Sequence, residues 1–102
     1  MRIIAGVAKG RNLSTVAGAT RPTSDRAREA LFSTFLSEFG EFENLKFLDL
    51  FAGSAAVGLE ALSRGASLVH VVEKDEGAVK TIRANQEIVE KAKPEEIGRA
   101  HV

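Results

Sequence analysis

The 102-residue chain has no cysteine, no tryptophan and no tyrosine. Lack of cysteine excludes a disulfide scaffold and any zinc or iron–sulfur site held by thiolates. Only two prolines are present, Pro22 and Pro94, and nine glycines, which excludes collagen-like and proline-rich low-complexity chains. Apolar runs extend for only a few residues, far short of the roughly 20 that a membrane-spanning helix needs. The opening Met1-Arg2-Ile3-Ile4-Ala5-Gly6 lacks the apolar stretch of a secretory signal. A cytoplasmic protein is therefore expected. An excess of charge of either sign is also missing, with 14 Lys/Arg against 14 Asp/Glu.

What is present is an ordinary globular composition, 44% hydrophobic and 27% charged. A chain of this length buries roughly 65% of its unfolded surface, enough for one modest core. The charges are unevenly placed. Residues 1–28 hold six Lys/Arg (Arg2, Lys9, Arg11, Arg21, Arg26, Arg28) and one acid, Asp25, so about +5. Residues 29–102 hold eight Lys/Arg and thirteen acids, so about −5. A basic segment on an acidic body suggests an anionic partner such as nucleic acid; a solvated basic face is the plainer reading.

Residues 2–16 read as a short β-hairpin, with strand-like Arg2–Ala5 and Asn12–Val16 around a turn that includes Gly10. Residues 17–22 read as a linker punctuated by Gly18 and Pro22. A helix is predicted to start near Thr23 or Ser24, whose hydroxyls suit a cap, and to stop at Gly40. Its apolar face is read as Ala27, Ala30, Leu31, Thr34 and Phe35. Lys46–Phe51 reads as a buried strand, Ala56–Arg64 as a helix closed by Gly65, and Leu68–Val72 as a second buried strand. Asp75 then opens a helix to about Lys91, with Ala78, Val79, Ile82, Ile88 and Val89 apolar. Strand, helix, strand, helix is the start of an α/β fold with a parallel sheet.

The segment Asp49-Leu-Phe51-Ala52-Gly53-Ser54-Ala55-Ala56-Val57-Gly58 sits where the first strand turns into its helix. Gly53 permits a sharp turn close to a ligand, and Gly58 lets the helix approach the strand. Exposed N–H groups at a helix start favour polar or anionic groups. Glu73 ends the second strand, 24 residues after Asp49, where an acid can accept hydrogen bonds from ribose hydroxyls. Packing glycines and a surface carboxylate at a helix start are the alternatives at these positions. An unpaired carboxylate inside an apolar run is costly, so Asp49 is expected at the carboxyl edge of the sheet, arranging the turn or the ligand.

Asp49-Leu-Phe-Ala-Gly-Ser54, then Gly58-Leu-Glu-Ala-Leu-Ser-Arg-Gly-Ala66, then Val72-Glu73-Lys74-Asp75, closely resemble the bacterial 16S rRNA guanine-N2 methyltransferases. Arg2-Ile-Ile-Ala-Gly6 with Lys9-Gly-Arg11 resembles their opening hairpin. Thr20-Arg-Pro-Thr-Ser-Asp-Arg26 with Arg28-Glu-Ala-Leu-Phe32 resembles their first helix. The resemblance covers about residues 1–90. It implies a Rossmann-like methyltransferase fold, truncated here, carrying an N-terminal β-hairpin and helix. It implies S-adenosylmethionine as cofactor, no metal, and 16S ribosomal RNA or a small-subunit assembly intermediate as partner. Asp49, Phe51, Ala52 and Gly53 would border the cofactor, with Ser54, Gly58 and Lys74 beside them, and Glu73 would hold the ribose. Arg2, Lys9, Arg11, Arg21, Arg26 and Arg28 would lie on RNA phosphates. The implied division is residues 1–45 facing RNA, 46–95 opening the cofactor-binding domain, and 96–102 a non-native tail.

Two departures stand out. Position 55 is Ala where the family usually has Gly, which matters if the backbone there takes a positive φ. The family's Asp/Asn-Pro-Pro-Tyr/Phe motif, which holds the target base, is absent, so no catalytic residue is named and this chain alone is expected to be inactive. The string Glu96–Val102 matches one reading frame of a widely used DNA-sequencing adapter, so genuine sequence is expected to about Glu95, with two sheet strands and no role for His101. His70 is expected to be a packed or edge residue. The alternatives to a methyltransferase are a non-catalytic RNA-binding module and a fragment of a nicotinamide-dependent oxidoreductase.

Overall fold

The structure, a computed structural model, describes residues 1–15, 24–50, 55–92 and 98–101. In chain order they form α1 (Asp25–Phe39), β1 (Lys46–Leu50), α2 (Ala56–Ser63), β2 (Leu68–Val72), α3 (Glu76–Glu90) and β3 (Arg99–His101). The linker expected at 17–22, the turn residues Phe51–Ser54 and Pro94 lie outside the described residues.

Local chemistry sets most helix ends. Ser24 Oγ accepts from Ala27 N at 3.0 Å and starts α1. Gly40 stops it at φ 72°, a conformation L-residues disfavour, with its N–H on Leu36 O. Asp75 caps α3 by accepting from Ala78 N at 2.8 Å. At the end of α2, Gly65 takes φ 114°; Gly65 N bonds Leu62 O and Ala66 N bonds Ala61 O. That pair is the Schellman arrangement, which satisfies the last carbonyls of the helix.

The strands form one parallel sheet in the order β1-β2-β3. β1 and β2 pair from Lys46↔Leu68 to Leu50↔Val72. The sheet thus has three strands where two were expected, because Arg99–His101 in the terminal tail pairs with β2 from Leu68↔Arg99 to His70↔His101. Nor are β1 and β2 buried on both faces. Burial alternates along each. Phe47, Asp49, Val69 and Val71 lie on the face that the helices cover, while Leu48, Leu50, His70 and Val72 lie on the other. Among the described residues nothing covers that second face, and Leu48 is 59% exposed. His70 sits there with its ring 5.3 Å from that of His101.

The buried face of α1 is also rotated from the expected one. Ala27, Ala30, Leu31 and Thr34 are exposed; Arg28 and Phe32 are buried, with Phe35 half-buried. The aromatic residues decide this. Phe32 packs edge-on to Phe35 and Phe42 and stacks with Phe47 of β1, at 5.4, 5.7 and 6.1 Å between ring centres. Such pairs add to the burial of the rings themselves.

Residues 1–15 pair antiparallel as expected, but the ladder shrinks to one bridge, Arg2↔Asn12. Gly10 N bonds Ile3 O and Arg11 N bonds Ala8 O within the tight turn, so the ladder does not continue beyond Arg2↔Asn12. Ile4 N and Ala5 N donate to Glu60, and Ser14 N donates to Asn85, which holds the segment against α2 and α3. Ile3, Ala8 and Leu13 join Phe32, Leu59, Leu62, Val69, Ile82 and Val89 in a single core. The N-terminal 45 residues and the rest therefore share one hydrophobic interior.

Candidate functional site

β1 and β2 end level with one another, at Leu50↔Val72. Leu50 and Val72 therefore stand side by side at this end of the sheet, on strands about 4.8 Å apart. This carboxyl edge is where open parallel sheets bind ligands. Most of the first turn, Phe51, Ala52, Gly53 and Ser54, lies outside the described residues.

Its far end is well defined. Ala55 is fully buried and left-handed, at φ 63° and ψ 26°, and its own side chain gives α2 no cap. The cap comes from the strand instead. Asp49 Oδ2 accepts from Gly58 N, the third residue of α2, at 3.0 Å. A β-carbon on Gly58 would lie 3.1 Å from Asp49 Oδ2 and 3.1 Å from Val69 Cγ1. Glycine thus allows the helix to close onto the strands, and the carboxylate reaches a backbone donor that no helix residue satisfies. Burial pushes the Asp49 carboxyl up from its ordinary value, and the Gly58 N–H offsets part of that.

At the end of β2, Glu73 is half-buried and its Oε2 accepts from Lys74 N at 3.1 Å and Asp75 N at 3.2 Å. Two backbone bonds hold the carboxylate within the β2–α3 turn. An ionised carboxylate accepts up to about four hydrogen bonds, so this anchoring is compatible with binding ribose hydroxyls as well. Lys74 is exposed on the same turn.

Of the basic residues, Arg2, Lys9, Arg11 and Arg26 are exposed, and Arg21 lies outside the described residues. Arg28 corrects the expectation that it faces RNA. It is fully buried. Its Nη2 donates to the Arg2 carbonyl and to Asp25 Oδ1, and its Nε lies 3.7 Å from Glu60 Oε1. Glu60, also fully buried, accepts from Arg64 Nε at 2.9 Å. The Arg64 guanidinium lies over the Phe32 ring, 4.7 Å from its centre. Partial desolvation raises the Asp25 carboxyl, but the hydrogen bond and charge of Arg28 outweigh it and hold the group below its ordinary value.

Sequence reading missed the residues that seat the N-terminal segment. Glu60 takes Ile4 N at 2.9 Å and Ala5 N at 3.1 Å. Ser63 Oγ donates to Ala5 O at 2.7 Å and accepts from Ala8 N at 3.0 Å, and Ser63 O accepts from Val7 N at 2.8 Å. The amide of Asn85 bonds both Ser14 N and Ser14 O. One signal was available: Glu60, Ser63 and Asn85 interrupt otherwise apolar helix faces. A cavity of about 190 Å³ lined by Phe35, Phe39, Phe42, Leu45, Lys46 and Phe47 lies beside the start of β1, at the opposite edge of the sheet from Glu73. Among the described residues no group of three His, Cys, Asp or Glu could hold a metal, and no helix is long and apolar enough to cross a membrane.

The family described as Conserved hypothetical protein 95 matches residues 1–100. The chain is 41% identical over 100 residues to YlbH of Bacillus subtilis (strain 168), covering 97% of this chain and 53% of the relative. It is 40% identical over 86 residues to Ribosomal RNA small subunit methyltransferase D of Haemophilus influenzae, covering 83% of this chain and 43% of the relative. Among solved structures, a hypothetical protein of Thermus thermophilus superposes with a TM-score of 0.82 at 38% identity, over 100% of this chain and 53% of that one. YhhF of Escherichia coli gives 0.74 at 35% identity, over 99% and 51%. The chain thus spans about half the length of these relatives, and the match runs on past residue 95.

Proposed function

Because the chain belongs to the Conserved hypothetical protein 95 family, whose curated relatives include small-subunit ribosomal RNA methyltransferases, we propose that it is the N-terminal part of an enzyme that methylates the exocyclic N2 amine of a guanine in 16S rRNA. S-adenosylmethionine would supply the methyl group. The observation that carries this reading is the carboxyl edge of the sheet. There the Asp49–Gly58 bond closes the turn after β1, and Glu73 is fixed at the end of the neighbouring parallel strand. Glu73 would accept the ribose hydroxyls, the turn from Phe51 to Ser54 would border the methionine and adenine ends, and Lys74 would flank them. Asp49 acts on the cofactor through the turn that it holds. Arg2, Lys9, Arg11, Arg21 and Arg26 would meet RNA phosphates, adding salt-dependent affinity without reading sequence.

Calorimetric titration of S-adenosylmethionine into the folded chain, with Glu73→Ala alongside, tests this. Saturable binding, weakened about tenfold or more by the substitution, is expected, since a hydrogen bond to a charged acceptor contributes roughly 1.5–3 kcal/mol. Equal binding by both proteins would remove Glu73 from the site. With labelled cofactor and 16S rRNA the same preparation should transfer no methyl group, because the residues that hold the base belong to a motif this sequence lacks.

A further inference from the structure

The helix that begins at the candidate cofactor edge also carries, in its last turn, the groups that seat the basic N-terminal segment. α2 has only eight residues, about 12 Å. Asp49 bonds its third residue, Gly58. Two residues further on, Glu60 receives the backbone N–H groups of Ile4 and Ala5, and Ser63 makes three further bonds to Ala5, Val7 and Ala8. The seat is fitted closely. A β-carbon on Gly6 would fall 1.9 Å from Ser63 O, so this backbone rests directly on the helix end. Glu60 itself is fully buried and is balanced by Arg28 and Arg64, both partnered in their turn. The segment it holds exposes Arg2, Lys9 and Arg11. Arg2 and Arg11 are brought together by the Ile3 N to Arg11 O bond and the Arg2↔Asn12 bridge.

We infer that Glu60 is a positioning residue for RNA: through Ile4 and Ala5 it fixes the cations Arg2, Lys9 and Arg11 relative to the cofactor edge, so that phosphates are met by a preset array. The inference rests on the reading that this segment faces RNA. Glu60 touches neither RNA nor cofactor. Its effect is to remove the conformational freedom that a loose basic arm would lose on binding.

The charge of Glu60 makes the test discriminating. Glu60→Gln makes the chain more positive by one, so a role in the general field alone predicts tighter RNA binding. Loss of a preset array predicts the opposite. The experiment is fluorescence anisotropy of the 102-residue chain with a labelled fragment of 16S rRNA over a salt series. Glu60→Gln, Glu60→Asp and a triple Arg2→Gln, Lys9→Gln, Arg11→Gln variant are compared at temperatures where circular dichroism shows each folded. Glu60→Asp keeps the charge for Arg28 and Arg64 but is one methylene too short to reach both N–H groups. The expected result is binding about tenfold weaker for both Glu60 variants. The slope of log Kd against log salt should be shallower by one or two phosphate contacts, each worth about 0.7–0.9 in slope. S-adenosylmethionine binding should be unchanged. Unchanged or tighter RNA binding by both folded Glu60 variants, while the triple variant binds weakly, would overturn the positioning role and leave the RNA-facing segment standing. If the parent chain and the triple variant bind alike, or neither binds, the RNA-facing reading falls and the positioning role with it.

Discussion

At the scale of single residues, Ala55 shows a sequence signal and its structural cost meeting at one position. A left-handed L-residue is disfavoured by roughly 1–2 kcal/mol, and Ala55 is the only non-glycine residue with positive φ among those described. Its methyl group is fully buried, which returns roughly 0.8 kcal/mol. Strain wins narrowly. Ala55→Gly is therefore expected to stabilise the chain by up to about 1 kcal/mol, seen as a thermal midpoint several degrees higher. A lower midpoint would show that the buried methyl outweighs the strain. The departure at position 55 was legible because glycine has a known conformational use there. So were Asp49 and Gly58, since a carboxylate in an apolar run needs a donor and a glycine early in a helix permits close approach. Arg28 was not legible. Nothing in a run of basic residues distinguishes a cation on the surface from one sealed between Asp25 and Glu60.

At the scale of elements, helix ends and strand positions could be read because caps and apolar runs are local. The buried Ala78, Ile82 and Val89 of α3 follow the expected spacing, but which face α1 and the strands bury could not be read, because a long-range neighbour decides it. Phe47 of β1 rotates the buried side of α1 onto Phe32, and the helices on one side of the sheet leave Leu48 and Leu50 uncovered on the other. The N-terminal segment pairs antiparallel, but how it is seated could not be read: Glu60, Ser63 and Asn85, far along the chain, hold its backbone against α2 and α3. That element gives a contrast between two glycines. Gly6 and Gly10 both have positive φ, yet a β-carbon at Gly6 meets Ser63 O while one at Gly10 meets nothing within 4 Å. Gly10→Ala should cost only backbone strain, about 1 kcal/mol. Gly6→Ala should cost about 3 kcal/mol or more, since the clash is with backbone that cannot swing aside. Urea midpoints measure the difference. Amide exchange should show Ile4, Ala5, Val7 and Ala8 losing protection in the Gly6 variant alone. Equal losses would mean the segment is not seated on α2.

At the scale of the whole molecule, the sheet presents one covered face and one that is open among the described residues. Leu48, Leu50 and Val72, at 59, 57 and 49% exposure, form an apolar patch beside the unpaired edge of β1 among the described residues. Such a surface favours association. Light scattering across a concentration series should show the chain self-associating, and a Leu48→Thr, Leu50→Thr, Val72→Thr variant should remain smaller at equal concentration. Threonine keeps strand preference while removing apolar area. If the variant associates as strongly as the parent chain, the patch is not the cause.

The row Asp25, Arg28, Glu60, Arg64 has a consequence for how the molecule looks to a distant polyanion. Two negative and two positive charges alternating along this row cancel, so their combined potential falls away faster than that of any one of them. Arg28 therefore adds little to the attraction felt outside, and Asp25 subtracts little. Among the described residues of the first 28, the exposed cations are Arg2, Lys9, Arg11 and Arg26, each screened within about 8 Å at physiological salt. On the proposed reading, such cations would guide a nucleic acid only at the last step of its approach.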